Sequence, residues 1–190
     1  MIIALSGPSG IGKGYIKERI LTAFPFLQEL NWFTTRQLRT NEADSNRTSV
    51  TTSKFNELMD ANKLVLVQNL YGYLYGLKRV DLLPTPHIRL TELHPNNIVE
   101  ALKINPAIVA IGLITYDLSL LRKRLSAIRK TESKSEIEKR VVAAETEIRI
   151  ILRHKQLFAS VIEVSEISEA LILEQVLTIL SPYLKQKGET

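Results

Sequence analysis

The sequence predicts an α/β fold in three layers, a parallel sheet flanked by helices. Three observations point there. Short apolar runs with strand character recur between segments of helical period. The first such run leads directly into a glycine-rich stretch and then a helix. A long segment near residue 140 carries a narrow apolar stripe suited to docking on a sheet.

Residues 2–5 (Ile-Ile-Ala-Leu) read as a strand buried on both faces, and 14–24 as a helix with Ile16, Ile20 and Leu21 on one side. Residues 27–33 are a further candidate strand. The stretch 34–52 is polar and lacks a period, so it reads as a loop, followed by a helix over 53–60 around Phe55. Strands are expected at 64–69, 87–91, 107–113 and 161–164, and helices at 97–103, 118–128, 135–158 and 168–184. Asp117 suits the N-cap of the 118–128 helix. Both Ser133/Glu136 and Ser135/Glu138 fit a capping box at the start of the long helix. Ile137, Val141, Ala144, Ile148 and Ile151 form its buried stripe. The link 128–135 is charged and rich in Ser and Thr. With 34–52 it is a candidate flap able to fold over phosphates.

The glycine-rich stretch carries the chemistry. Gly7, Gly12 and Lys13 satisfy G-x-x-x-x-G-K between a strand and a helix, the setting a phosphate-binding loop requires. Gly7, Pro8, Ser9, Gly10, Ile11, Gly12, Lys13, Gly14 and Tyr15 are therefore the expected contacts to a bound polyphosphate. Backbone N–H groups turn inward, the helix N-terminus adds partial positive charge, and Lys13 supplies a mobile cation. Most such loops follow the lysine with Ser or Thr, whose hydroxyl meets Mg²⁺. Here Gly14 and Tyr15 follow, so Mg²⁺ is expected to arrive on ATP, held by phosphate oxygens and water rather than by direct side-chain ligation.

The 190 residues suit one domain. The net charge is +5 and the pI about 9.4, which accords with anionic ligands. The charges are not interleaved with aromatics as in a nucleic-acid groove, so no nucleic-acid partner is expected. The longest apolar run, 106–116, falls short of the about 18 residues a membrane span needs. Residues 1–5 are too short for a secretory signal and lack a basic start. Cysteine is absent, which excludes disulfides and thiolate metal sites and agrees with a cytoplasmic location. His87, His94 and His154 read as surface or strand-end residues. A monomer or a homodimer is expected.

Thr34-Thr35-Arg36-Gln37-Leu38-Arg39, with Glu42 after it, resembles the nucleotide loop T-T-R-x-P-R-x-x-E of guanylate kinases. The resemblance covers nearly the whole chain. Phe55 and Leu58 sit where that family begins its small helix, and Tyr75-Gly76 matches its Y-G pair. Arg124-Leu125 and Arg129-Lys130-Thr131-Glu132 are similar to its lid segment, one residue longer here. Ile137, Arg140, Ala144 and Glu147 fall on its I-x-x-R-x-x-x-A-x-x-E spacing. The resemblance implies a P-loop kinase core at about 1–33, 77–125 and 136–190, a small acceptor-binding insertion at about 34–76 and a lid at about 126–135. It implies phosphoryl transfer from ATP to a nucleoside monophosphate. Lys13, Arg129 and Arg140 are then catalytic, and Arg36, Arg39, Glu42, Tyr75 and Glu92 bind the acceptor. Arginine suits these places because its planar fork meets two phosphate oxygens and stays charged. Arg124 is a further candidate at the lid.

The departures cluster where the family reads guanine. Counting back from Tyr75, its base-reading glutamate falls on Leu66; the small hydroxyl residue after Y-G is Leu77, and a loop tyrosine aligns near Arg47. Leucine cannot accept the N–H bonds of a guanine edge. Two alternatives stay open at this level. The acceptor can be another phosphate ester such as ribose 1,5-bisphosphate, since 64–77 also resembles the matching stretch of the phosphokinases that act on it. The chain can also be a guanylate-kinase-like binding module without catalysis.

Overall fold

The computed structural model describes residues 1–38, 46–165 and 169–184. Ile2–Ser6 forms β1, every side chain of which is buried. β1 lies in the middle of a parallel sheet completed by β2 (Gln28–Glu29), β7 (Arg89–Leu93), β8 (Ile108–Ile114) and β9 (Ser160–Glu163), in the order β2-β7-β1-β8-β9. Its neighbours β7 and β8 pair with it in parallel, Ser6 standing beside Leu93 and Gly112. Helices cover the sheet: α1 (Lys13–Ala23), α4 (Ile98–Ile104), α5 (Leu118–Ile128), α6 (Lys134–Arg153) and α7 (Glu169–Leu184). The three-layer α/β fold expected from the sequence is the one observed.

A second sheet, of order β4-β3-β6-β5, is built from β3 (Trp32–Thr34), β4 (Arg47–Ser49), β5 (Leu64–Leu70) and β6 (Tyr73–Lys78). Its strands β5 and β6 form an antiparallel hairpin, and β6 pairs antiparallel with β3. The short helix α2 (Thr52–Asp60) packs on it through Phe55, which is fully buried. Thr51 caps α2, its Oγ1 accepting from Lys54 N at 3.2 Å. The glycine of the Tyr75-Gly76 pair has a packing reason: a Cβ there would lie 3.1 Å from the Phe55 ring. After α3 (Arg79–Leu82) the chain returns to the parallel sheet.

Several expectations need correction. Residues 64–69 do form a strand, but in the second, mixed sheet, and its antiparallel partner Tyr73–Lys78 was not expected. The candidate strand 27–33 is two strands in different sheets, split at Leu30, whose N–H donates to Leu90 O before the chain crosses over. The expected strand 87–91 runs instead over Arg89–Leu93; Pro84 and Pro86, which lack an N–H, precede it. The polar stretch 34–52 contains β4. The long helix stops at Arg153 and gives way to a single 3₁₀ turn, Lys155–Leu157.

The helix caps follow sequence chemistry more closely. Asp117 Oδ1 accepts from Ser119 N at 2.9 Å and begins α5. Ser133 and Glu136 form the capping box of α6. Glu138, the alternative partner for Ser135, is instead paired with Arg122 of α5 through two bonds of 2.9 and 2.8 Å. Ile137, Val141, Ala144, Ile148 and Ile151 are all buried on α6, as their spacing predicts. Phe55→Ala should cost about 3–5 kcal/mol, because the ring fills a site bounded by Gly76 and Leu64 that cannot collapse fully. Urea unfolding monitored on the single tryptophan, Trp32 of the second sheet, measures it.

Candidate active site

The glycine-rich loop links the C-terminal end of β1 to α1, where open parallel sheets present ligand sites. Gly7 has φ +152°, and a Cβ there would sit 2.5 Å from the Leu113 carbonyl oxygen; a Cβ on Gly10 (φ +83°) would sit 2.9 Å from Leu125. Only glycine permits this path. Gly12, left-handed, occupies the N-cap of α1 and offers no side-chain bond. The first N–H groups of the helix therefore keep their capacity for an anion. Lys13 Nζ donates to Gly7 O at 2.7 Å and Pro8 O at 2.9 Å, holding the ammonium within the loop. Burial lowers its pKa, opposed by the Glu92 and Glu147 carboxylates. Arg124 lies against the same loop, its Nη1 donating to Ile11 O at 3.2 Å.

A cavity of about 610 Å³ opens beside this loop, between the two sheets and the start of α6. That volume lies within the range of small-molecule sites. Of the sequence-predicted residues, Gly7, Ser9, Lys13 and Glu92 line it from the parallel sheet, and Arg36 and Tyr75 from the second sheet. Arg129 and Arg140 line it from the α5–α6 connection and α6. Arg36 Nε donates to Tyr75 Oη at 3.2 Å, and its Nη1 to Gln37 O at 2.8 Å, so the guanidinium is held by a tyrosine on a neighbouring strand. Arg140 forms two bonds to Glu132, of 2.6 and 2.9 Å, and its guanidinium stacks 3.9 Å from the Tyr71 ring centre at the hairpin tip. Burial works against the Arg140 charge, but the Glu132 carboxylate outweighs it and raises the pKa. Arg129 Nε stands 3.9 Å from Glu132 Oε1.

The other expected loop residues, Pro8, Gly10, Ile11, Gly12, Gly14 and Tyr15, do not line this cavity, and Ile11 is buried in the core. Tyr15 turns away from the loop: its ring lies under Arg19 and lines a shallow groove with Leu173 and Leu177 of α7. Gly14 is exposed. Arg39 and Glu42 lie outside the described residues.

Sequence reasoning missed several groups. Lys17, one turn beyond Lys13, bonds Glu29 at 2.5 Å and Glu92 at 3.1 Å. Burial disfavours the charge on both Lys17 and Glu92. Their mutual attraction wins, raising the lysine and lowering the carboxylate, the latter with help from Lys13 and Arg47. His94, read as a surface or strand-end residue, does follow the end of β7 but is not on the open surface: it lines the cavity and stands 3.4 Å from the buried Glu147 of α6. Its Nδ1 accepts from Asn96 N at 3.2 Å, so Nε2 carries the proton toward the glutamate. The four-residue step from Lys13 to Lys17 could have flagged Lys17. Nothing in the local sequence marks His94. Among the described residues, no group of three or more His, Cys, Asp or Glu side chains could hold a metal ion, and no helix is long and apolar enough to cross a membrane.

A phosphate loop at the C-terminal end of the central strand of a parallel sheet, faced across a cleft by a second small sheet and its adjoining arginine, defines the nucleoside monophosphate kinase class. The comparisons agree. The chain is 29% identical over 155 residues to the guanylate kinase of Clostridioides difficile, covering 80% of this chain and 75% of that one. It is 32% identical over 157 residues to the guanylate kinase of Lactobacillus delbrueckii subsp. bulgaricus, covering 80% and 76%. It is also 32% identical over 154 residues to that of Lactobacillus acidophilus, covering 78% and 74%. No family model matches. The fold is shared with a guanylate kinase from Anaplasma phagocytophilum (TM-score 0.72, 18% identity, 96% of this chain and 85% of the other). It is shared less closely with a gluconokinase from Sinorhizobium meliloti (TM-score 0.55, 13% identity, 97% and 93%). The chain belongs to the guanylate kinase family and is an enzyme of the nucleoside monophosphate kinase class.

The Lys17–Glu92 pair sets a pH window. A lowered carboxylate contributes stability that is lost as pH falls through its folded value, and a raised lysine contributes stability lost as pH rises through its own. Between about pH 4.5 and 10.5 both contributions are present. Lys17→Met should cost about 1–3 kcal/mol at pH 7, less than a fully buried pair because Lys13 and Arg47 still face Glu92. The difference from wild type should narrow as pH falls below about 4.5, the unperturbed carboxylate value, and through the lowered folded value of Glu92. Denaturant midpoints across that range check both.

Proposed function

We propose that the protein transfers the γ-phosphate of ATP to GMP, giving ADP and GDP. One observation carries this reading: cations from four separate chain segments, at Lys13, Arg36, Arg129 and Arg140, border a single cavity. Phosphoryl transfer between two phosphates concentrates negative charge, and neutralisation and alignment are its main demands. The loop amides and Lys13 take the β- and γ-phosphates of ATP, with Arg124 beside them. Arg36, oriented by Tyr75, holds the acceptor phosphate together with Arg39. An acceptor phosphate oxygen attacks the γ-phosphorus as the bond to the bridging oxygen of ADP breaks. Arg129 and Arg140 meet the equatorial oxygens, Arg140 exchanging its two bonds to Glu132 for bonds to phosphate.

The donor set suits Mg²⁺ brought in by the nucleotide. The Tyr15 ring faces α7, so no hydroxyl follows Lys13 into the loop; Glu92 on the cavity wall is the carboxylate able to meet the ion's water shell. Bound Mg²⁺ supplies charge neutralisation across the β- and γ-phosphates.

ADP release from ATP, followed with GMP, dGMP, AMP, UMP and ribose 1,5-bisphosphate in turn, tests the reading. Turnover with GMP supports it. Turnover with the sugar phosphate alone replaces it with a sugar-phosphate kinase, and ATP binding without turnover marks a binding module. Lys13→Ala should lower kcat by at least about 100-fold, since it deletes a preorganised charge at the transferring group. Arg36→Ala should raise the acceptor KM by about 10- to 100-fold with the ATP KM unchanged, the loss expected for a charged hydrogen bond to phosphate. A defect confined to ATP would show that Arg36 serves the other substrate.

A further inference from the structure

The hairpin β5–β6 contains an extra residue. Val65 pairs with Leu77 and Gln68 with Tyr75, so three steps on β5 match two on β6. At this bulge Leu66 is left-handed, with φ +54°. That is an uncommon conformation for a residue with a Cβ, and such outliers gather at functional positions. The buried Asn97 side chain holds the kink, its Nδ2 donating to Leu66 O at 3.1 Å. The Leu66 side chain goes into the apolar core with Leu93 and Ile98.

The bulge decides which side chains reach the cavity. Uninterrupted alternation from Val65 would turn Val67 and Asn69 toward it. With the extra residue, Gln68 and Leu70 line it instead, on the same face as Tyr75 and Tyr73. Gln68 then stands directly across from Tyr75, the residue that orients Arg36. Its Oε1 is buried and makes no hydrogen bond to any described residue. A buried acceptor left unpaired costs about 1–3 kcal/mol, and persists where a ligand supplies the missing donor.

We propose that Gln68 is the specificity-determining residue for the base of the acceptor nucleotide. This rests on the reading of the site given above, with the acceptor phosphate on Arg36. A carboxamide presents one acceptor beside one donor, and its complement is a lactam edge. Oε1 accepts from the base N1–H, and Nε2 donates to the adjacent carbonyl O6. Guanine and hypoxanthine carry that edge, and adenine, with no N1–H, does not. A carboxylate at this position would have no donor for O6 and would select instead for the 2-amino group.

Calorimetric titration of the full chain with GMP, IMP, AMP and ribose 5-phosphate, for wild type, Gln68→Leu and Gln68→Glu, tests the assignment. Wild type should bind GMP and IMP within about threefold of each other and at least about tenfold more tightly than AMP or ribose 5-phosphate. Gln68→Leu should lose about tenfold for GMP and IMP, leaving ribose 5-phosphate and ATP unchanged. Unchanged ATP binding also reports that the variant has folded. Gln68→Glu should raise the preference for GMP over IMP. Equal binding of GMP and ribose 5-phosphate by wild type overturns the base assignment and leaves the phosphate grip standing. AMP bound as tightly as GMP, or Gln68→Leu without effect, overturns it too. Failure of wild type to bind any of the phosphate esters removes the acceptor reading and this inference together.

Discussion

A cleft that is to neutralise the phosphates of two nucleotides must first hold its own cations together, and their mutual repulsion constrains everything around it. The described residues answer it locally. Lys13 donates to two loop carbonyls, Lys17 is pinned by Glu29 and Glu92, and Arg140 is clamped by Glu132. The carboxylates Glu29, Glu92 and Glu132 lie on three different segments, so the charge balance also ties those segments to one another. Glu92 sits on the strand next to β1 and compensates Lys17 and Lys13 at once. The sheet register that puts Leu5 beside Glu92 is therefore an electrostatic requirement as well as a packing one.

That coupling explains why parts of the site were legible in sequence and parts were not. The phosphate loop is local: its glycines answer close approaches to Leu113 and Leu125, and the lysine follows at fixed spacing. The α6 stripe is local too, since one helical period sorts buried from exposed side chains. The second sheet is a non-local object. β3 is three residues long and β4 likewise, too short for any period to announce them. β3 depends on pairing with β6 and β4 on pairing with β3, contacts between distant segments that no local pattern signals. His94 and Glu147 belong to the same category, meeting only because α6 crosses the end of β7.

Leu66 shows a subtler failure. Counting back from Tyr75 along the family's motif puts its base-reading glutamate at Leu66, and leucine there argues against base recognition. In the structure Leu66 sits at the bulge with its side chain in the core, and beyond the inserted residue Gln68 and Leu70, rather than Val67 and Asn69, line the cavity. The apparent loss of a polar reader at one position is thus accompanied by a polar side chain two residues on. Alignment by counting compares positions in sequence, whereas a ligand meets positions in space.

The Arg140–Glu132–Tyr71 contact joins these themes. Glu132 lies in the α5–α6 connection, Arg140 on α6, and Tyr71 at the tip of the second sheet's hairpin, so one guanidinium links both walls of the cleft. Tyr71 takes a left-handed backbone, φ +56°, next to Gly72, and Asn69 Oδ1 secures the turn by accepting from Gly72 N at 3.1 Å. A stack on the flat face of the guanidinium leaves its N–H edge directed at carboxylate or phosphate. The ring can therefore hold the arginine in place while its hydrogen-bond partner changes from Glu132 to the transferring group. Such an exchange keeps the charge paired throughout and avoids desolvating a lone cation, which is costly in a partly buried cleft. On the proposed function the aromatic tip of the hairpin and the acid of the α5–α6 connection would divide one task, the first fixing where Arg140 lies and the second occupying it until phosphate arrives.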